Sequence, residues 1–341
     1  MDTLEAFVAE LPKVELHVHL VGSAPVETVL SLARRHPEVG VPTSEEGLRE
    51  FYVFSDFPHF LDVYQVVSRL LSEPEDIAEL VRGIGRDLAA QNVRYVELQA
   101  APYPFQRLGM PDAVISEALS IGARDALAWY GVQIGYIVDF PGHYAGRDAR
   151  PALRFALENP PAGLVGFGIG GDEARRAPYT DVIRDVFQAA HVAGLRCVPH
   201  AGETTGAETV WEAIEFLHAE RIGHGIRSLD DPSLVAYLAE QQLPVDVSPT
   251  SNVCTRCVPS MAAHPLRRMA GAGLFVTLNS DDPPMFGTSL SNEYLVAGRD
   301  LGFSPAELAA LAGNGVRASF LGQAEKEALL AEIAAVPLPV S

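Results

Sequence analysis

The chain has 341 residues, 48% hydrophobic and 20% charged, a balance that excludes a disordered or solvating polymer. Forty-four acids against 25 basic residues give a formal charge of −19. A field of that sign repels phosphate backbones and anionic lipid, so neither nucleic acid nor a membrane surface is an expected partner.

Three cysteines are too few to staple a domain of this size, and the N-terminus carries acids where a secretion signal carries cations. No apolar run nears the ~18 residues that span a bilayer. A soluble, cytoplasmic protein is expected.

In chain order, short β-branched runs alternate with amphipathic stretches. Strands are expected at Val14–Leu20, Val93–Ala100, Val132–Asp139, Leu164–Ile169, Leu195–His200, Arg221–His224, Pro244–Ser248 and Leu274–Ser280. Helical periodicity fills Pro111–Tyr130, Asp148–Glu158, Thr180–Ala193, Glu208–Ala219, Pro232–Gln241 and Met261–Ala270. This alternation implies βαβ units and an α/β fold with a parallel sheet. Eight strands fit a (β/α)8 TIM-type barrel better than a doubly wound sheet, although periodicity alone leaves closure open.

About seventy residues separate the first two strands, far more than an ordinary connection. They read as a helical insertion over about 24–90, and the tail beyond Ser304 reads as extra C-terminal helices, all within a single domain, 1–341. Phe51, Tyr52, Phe54, Phe57, Phe60 and Tyr64 crowd the insertion. They read as core packing, with an apolar lid over a binding site as the alternative.

The histidines and acids carry the chemistry. His17 and His19, at i and i+2 on the first strand, point the same way because strand side chains alternate. His200 closes the fifth strand, His224 the sixth, and Asp281 and Asp282 follow the eighth, all at the end where barrel active sites are built. Three or four neutral imidazoles and a carboxylate suit a catalytic Zn2+ with one position left for water. Glu203, three residues past His200 in HAGE, is placed as a proton donor or acceptor rather than a ligand.

Other patterns are decoys. Cys254-Thr-Arg-Cys257 has CxxC spacing but no second pair. Gly166–Gly171 matches GxGxxG formally, yet it ends a strand and no apolar-faced helix follows. Neither a P-loop, HExxH, the HxE…PCxxC signature nor a Gly-x-Ser-x-Gly elbow is present.

PKVELHVHLVGS, GGDE, HAGE, RIGHG, SPTSN and NSDDP, spread from Pro12 to Pro283, resemble the motifs of the adenosine deaminase family of the amidohydrolase superfamily. The resemblance implies a hydrolase barrel with one Zn2+ per chain, Fe2+ being the alternative, held by His17, His19, His200 and Asp281. It implies that Glu203 protonates purine N1 and that His224 orients the attacking water, while Asp281 takes its proton. Asp282 would bond N7, and the Gly171 backbone would meet the N3 edge. The partner implied is a small purine nucleoside.

Members acting on adenosine read HxHLDGS, where this chain has Val21 in HVHLVGS. Valine accepts no hydrogen bond, so a free 5′-hydroxyl would lose a partner there, at about 1–3 kcal/mol. With LVGSA, HAGETTG and NSDDPPMFGT, the chain looks most like the 6-amino-6-deoxyfutalosine deaminase branch, which acts on the route to menaquinone. That substrate bears a carboxylated aryl ketone on its 5′ side. The aromatic stretch is expected to flank the aryl group, and Arg147 or Arg150 to meet the carboxylate.

Adenosine, or another 5′-substituted adenosine, is the alternative substrate. A non-deaminase amidohydrolase fits less well, because neither Lys13 nor Lys326 is placed to bridge two metals. A non-catalytic binder would be expected to lack Glu203, His224 or Asp281, and all three are present.

Overall fold

The computed structural model describes residues 3–339. Eight parallel strands follow one another round a single sheet: β1 (Lys13–His19), β2 (Val93–Ala100), β3 (Gln133–Val138), β4 (Leu164–Ile169), β5 (Arg196–Ala201), β6 (Ile222–His224), β7 (Val245–Val247) and β8 (Val276–Leu278). Each pairs in parallel with the next. The sheet closes on itself because β1 and the segment after β8 share hydrogen bonds. Leu16 N–H donates to Asn279 Oδ1 at 3.0 Å, Asp281 N–H to the His17 carbonyl at 3.0 Å, and His19 N–H to the Asp281 carbonyl at 3.0 Å. The architecture is the α/β barrel expected, and the open sheet is excluded.

Local chemistry marks the helix ends. Asp231 accepts the Ser233 N–H to start Pro232–Gln241, whose first position holds the proline that lacks a donor. Ser304 and Glu307 form a reciprocal capping box at Pro305–Ala318. The long connection after β1 holds four α-helices, Val26–Arg35, Glu45–Phe51, Phe57–Ser68 and Pro74–Ala90. Leu290–Arg299, Pro305–Ala318 and Gln323–Ala335 close the chain.

Two departures have physical causes. Met261–Ala270 is not one helix: a 3-10 turn, Met261–Ala263, is separated from Leu266–Gly271 by Pro265. Proline drives the residue before it out of the helical region, and His264 is extended with φ −64° and ψ 132°. Conversely, Pro249–Cys254, within SPTSN, forms a short helix that the sequence pattern did not signal.

Inside the barrel, Arg221 is fully buried just before β6. It donates to Glu97 Oε2 at 2.5 Å, Asp246 Oδ2 at 2.6 Å, and the Leu16 and Ala318 carbonyls at 3.2 Å each. Four acceptors for one guanidinium satisfy a buried ion that would otherwise cost several kcal/mol, roughly. The network ties β2, β6, β7 and β1 together and so holds the strand ends in register. No helix among the described residues is long and apolar enough to cross a membrane.

Candidate active site

The barrel brings His19, His200, Glu203, His224, Asp281 and Asp282 to one cleft of about 670 Å3, with His17 fully buried beneath them against His200 and His224. His17 and His19 leave β1, His200 leaves β5, His224 ends β6, and Asp281 and Asp282 follow β8. His19 Nε2 lies 3.2 Å from Asp281 Oδ1 and 3.2 Å from His200 Nε2, and His17 Nε2 lies 3.6 Å from Asp281 Oδ1. His224 Nε2 stands 3.7 Å from Glu203 Oε2 and 4.0 Å from Asp281 Oδ2. His224 and Asp281 both hold positive φ, 63° and 66°. For non-glycine residues that conformation stores about 1–2 kcal/mol, and it aims both side chains at the same point.

The cluster can hold a metal ion. His17, His19 and His200 offer ligand atoms within 4.8 Å of one another, as do His17, His224 and Asp281, and His19, Asp281 and Asp282. Both ring nitrogens of the fully buried His17, and Nδ1 of His200, have no hydrogen-bond partner. Unpaired polar atoms in an interior are costly, and a cation bound among them removes that cost. Neutral imidazoles with one carboxylate are a zinc-type donor set.

Charge supports the same fit. Burial, then the neighbouring His200 and His224, hold His17 well below the usual histidine range, so it stays neutral. Burial opposes a charge on His19, but the surrounding acids, with Asp281 hydrogen-bonded to the ring, outweigh it and raise it to about 10. The carboxylates therefore draw positive charge to the place where a cation would sit.

Burial and neighbouring charge favour the protonated form of two carboxyl groups. Burial pushes Glu203 well above the ordinary range, and the charges of Asp281 and Glu173 push it further. Burial, then the adjacent Asp281, does the same to Asp282. Asp281 moves the opposite way: burial works against its charge, but the hydrogen bond to His19 and the surrounding imidazoles prevail. The cleft thus offers two acids, Glu203 beside His224 and Asp282 beside His19, around one base.

Sequence reasoning missed the residue that shapes the Glu203 loop. Glu173, the acid of GGDE, is buried and accepts backbone N–H bonds from Gly202 at 2.8 Å, Glu203 at 2.8 Å, Thr204 at 2.6 Å and Thr205 at 3.3 Å. One carboxylate folds the HAGETT turn around itself. Four successive donors converging on one acid could be found only after folding, because Glu173 lies some thirty positions away.

The other expected residues divide. Gly171 and Asp282 line the cleft. Val21 does not: it is buried and lines a separate small apolar void with Ala24, Val29, Leu32 and Val67. Phe57, Phe60 and Tyr64 form one wall of the main cleft while Phe60 packs on Phe54 and Phe286, so the aromatic stretch is both core and wall. Arg150 is exposed and faces Asp185. Arg147 is held on Asp148 at 2.9 Å. Neither arginine is among the residues that line the cleft, although Arg147 stacks on Tyr144, next to the cleft residue His143. Cys254 and Cys257 are free thiols, and Cys257 Sγ donates to Glu203 Oε1 at 3.7 Å.

The Adenosine deaminase family model matches residues 12–336. An aminodeoxyfutalosine deaminase of Streptomyces avermitilis is 46% identical over 332 residues, covering 97% of this chain and 92% of that protein. The crystal structure of an adenine deaminase from Arthrobacter aurescens superposes with a TM-score of 0.88 at 33% identity, covering 95% of this chain and 98% of that one. An amidohydrolase from Burkholderia ambifaria with bound Zn gives a TM-score of 0.89 at 30% identity, covering 98% and 93%.

Proposed function

The chain belongs to the adenosine deaminase family, and we propose that it hydrolytically deaminates purine C6 of an adenine nucleoside modified at its 5′ end. The first candidate is 6-amino-6-deoxyfutalosine, giving futalosine and ammonia. The observation that carries this reading is the placement of two carboxyl groups, Glu203 and Asp282, on one cleft with the His/Asp cluster between them. A 6-aminopurine presents N1 and N7 as two acceptors flanking C6, and two acids answer them.

In this reading residues 1–341 act as one deaminase domain. His17, His19, His200 and Asp281 would hold one metal ion, zinc first and iron(II) as the alternative. When bound, that ion supplies the Lewis acidity that makes water a nucleophile near neutral pH. Glu203 gives its carboxyl proton to N1, which draws electrons from C6. His224 orients the attacking water from its ring edge, and Asp281 accepts a water proton on its carboxylate. Asp282 holds N7, and the Gly171 backbone lies against the N3 edge. The C6–O bond forms, the C6–N bond breaks, and the amino group leaves as ammonia after gaining a proton.

The test is the ultraviolet change as adenine becomes hypoxanthine in metal-loaded protein. It is run with 6-amino-6-deoxyfutalosine, adenosine and adenine in separate cuvettes. Fast conversion of the first alone supports the reading. Preference for adenosine or free adenine overturns the 5′ specificity, and conversion of none overturns the deaminase reading.

A further inference from the structure

Behind His224 runs a buried chain of polar groups that the reaction above does not use. Leu266 N–H lies 3.2 Å from His264 Nδ1. His264 Nε2 lies 3.2 Å from Asn252 Oδ1, and Asn252 Nδ2 lies 3.2 Å from His224 Nδ1. All three side chains are buried, Asn252 and His224 almost completely.

The protons in this chain follow from its first link. A backbone N–H can only donate, so His264 Nδ1 is an acceptor and carries no proton. Burial keeps His264 near a pKa of about 4, so it is neutral and its single proton sits on Nε2. That proton needs an acceptor, which identifies the facing Asn252 atom as the amide oxygen. The Asn252 amide nitrogen then faces His224 and donates to Nδ1. Only Nε2 is left to carry the His224 proton.

We infer that Asn252 and His264 are positioning residues that fix His224 in the tautomer protonated at Nε2, so that it enters the cleft as a hydrogen-bond donor. Nε2 faces Glu203 Oε2 and Asp281 Oδ2. In that tautomer His224 can neither accept a proton at Nε2 nor ligate a metal through it. It can donate to an oxygen arriving between the two acids. Proton acceptance then falls to Asp281, whose Oδ2 receives the Ser251 hydroxyl at 2.5 Å. Ser251 and Asn252 are neighbours on the short helix Pro249–Cys254, so one turn of chain orders both groups. The identity of the arriving oxygen rests on the deaminase reading; the tautomer does not.

The test uses full-length, metal-loaded protein labelled with 15N in its histidine rings, with His224 assigned by its absence in His224→Gln. Nitrogen shifts report which ring atom bears the proton. Wild type is expected to show Nε2–H at His224; Nδ1–H overturns the inference. In Asn252→Asp a carboxylate that only accepts replaces the donor, so the proton is expected to move to Nδ1. Turnover should then fall by about 100-fold or more, with metal stoichiometry unchanged.

Should Asn252→Asp fail to fold, the His264 pair carries the same test. His264→Phe removes the donor to Asn252, whereas the amide of His264→Gln restores it and should recover most of the lost turnover. Equal losses in the two His264 variants overturn the inference. Wild-type Nε2–H in a protein that deaminates no 6-aminopurine would sink the deaminase reading and leave the tautomer standing.

Discussion

Gly22 and Asp282 approach so closely that a Cβ on Gly22 would fall 1.6 Å from Asp282 Oδ1 and 2.3 Å from its Cγ. A methyl group and a carboxyl cannot share that space. Glycine at this position is therefore what lets Asp282 stand beside His19 and line the cleft.

Gly22→Ala is accordingly expected to displace Asp282 by an ångström or so and to cut kcat/KM by about 100-fold. Because the three atoms nearest to that Cβ all belong to Asp282, the proposed N7 acid, metal content should stay near one per chain. Steady-state kinetics with metal analysis on the same preparation checks both. Unchanged kcat/KM would mean that Asp282 has no part in binding.

Val21→Asp tests a different point. The HVHLVGS departure by itself suggests that restoring the acid would favour plain adenosine, but the Val21 side chain lies in an apolar void among Val29, Leu32, Val67 and Leu70. A carboxyl there has no partner, and the expected result is a loss of about 3–5 kcal/mol in stability with little change in substrate preference. Denaturant unfolding gives the first quantity and competing-substrate rates the second. A stable variant that switches toward adenosine would return Val21 to the substrate's 5′ end.

Glu173→Gln keeps the shape of the side chain but replaces one acceptor oxygen with an amide NH2, a donor that faces backbone donors. Burial opposes the Glu173 charge, yet Arg176 and the N–H groups of Thr204 and Glu203 outweigh it and hold the acid below its ordinary range. The native state therefore carries an anion at this point, and removing it leaves N–H groups of the 202–205 turn unpaired. The expected cost is about 1–3 kcal/mol, read as a lower Tm, together with a fall in kcat larger than the change in KM. A lower Tm with intact kcat would make Glu173 a purely structural clamp.

A pH dependence of stability is expected from Glu15. Burial raises its pKa from 4.5 to about 8, against the lowering effect of hydrogen bonds from Ser280 and His17. The folded chain thus keeps a proton that the unfolded chain releases. That contribution is fully present below pH ~4.5 and is lost as pH rises through about 8. Glu15→Gln retains acceptors and donors for Ser280 without a charge to bury, so its Tm advantage over wild type should widen between about pH 5 and pH 8.5. Parallel Tm curves for the two proteins would show that Glu15 is ionised in the native state.

How much of this was legible in the sequence depends on the range of the forces involved. Strand alternation put His17 and His19 on one face, and the ends of successive strands put His200, His224 and Asp281 at one rim, since parallel strands in a closed sheet all end the same way. Those are local periodicities, carried by residues two apart or by one strand at a time. Boundaries were weaker: Pro265 broke a stretch that periodicity alone reads as one helix.

What only the tertiary structure decided is which groups face each other across the fold. Val21 sits two residues from His19, yet its side chain lies in an apolar void outside the cleft. Glu173 meets the Glu203 turn, and His264 meets Asn252 and through it His224, over separations no periodicity records. Such contacts arise because burial strips water from polar groups and obliges each to find a protein partner, wherever in the chain that partner lies. The residue types and their strand-end spacing were local properties and could be read directly; the proton on His224 belongs to a chain of buried donors and acceptors that exists only once the barrel has closed around it.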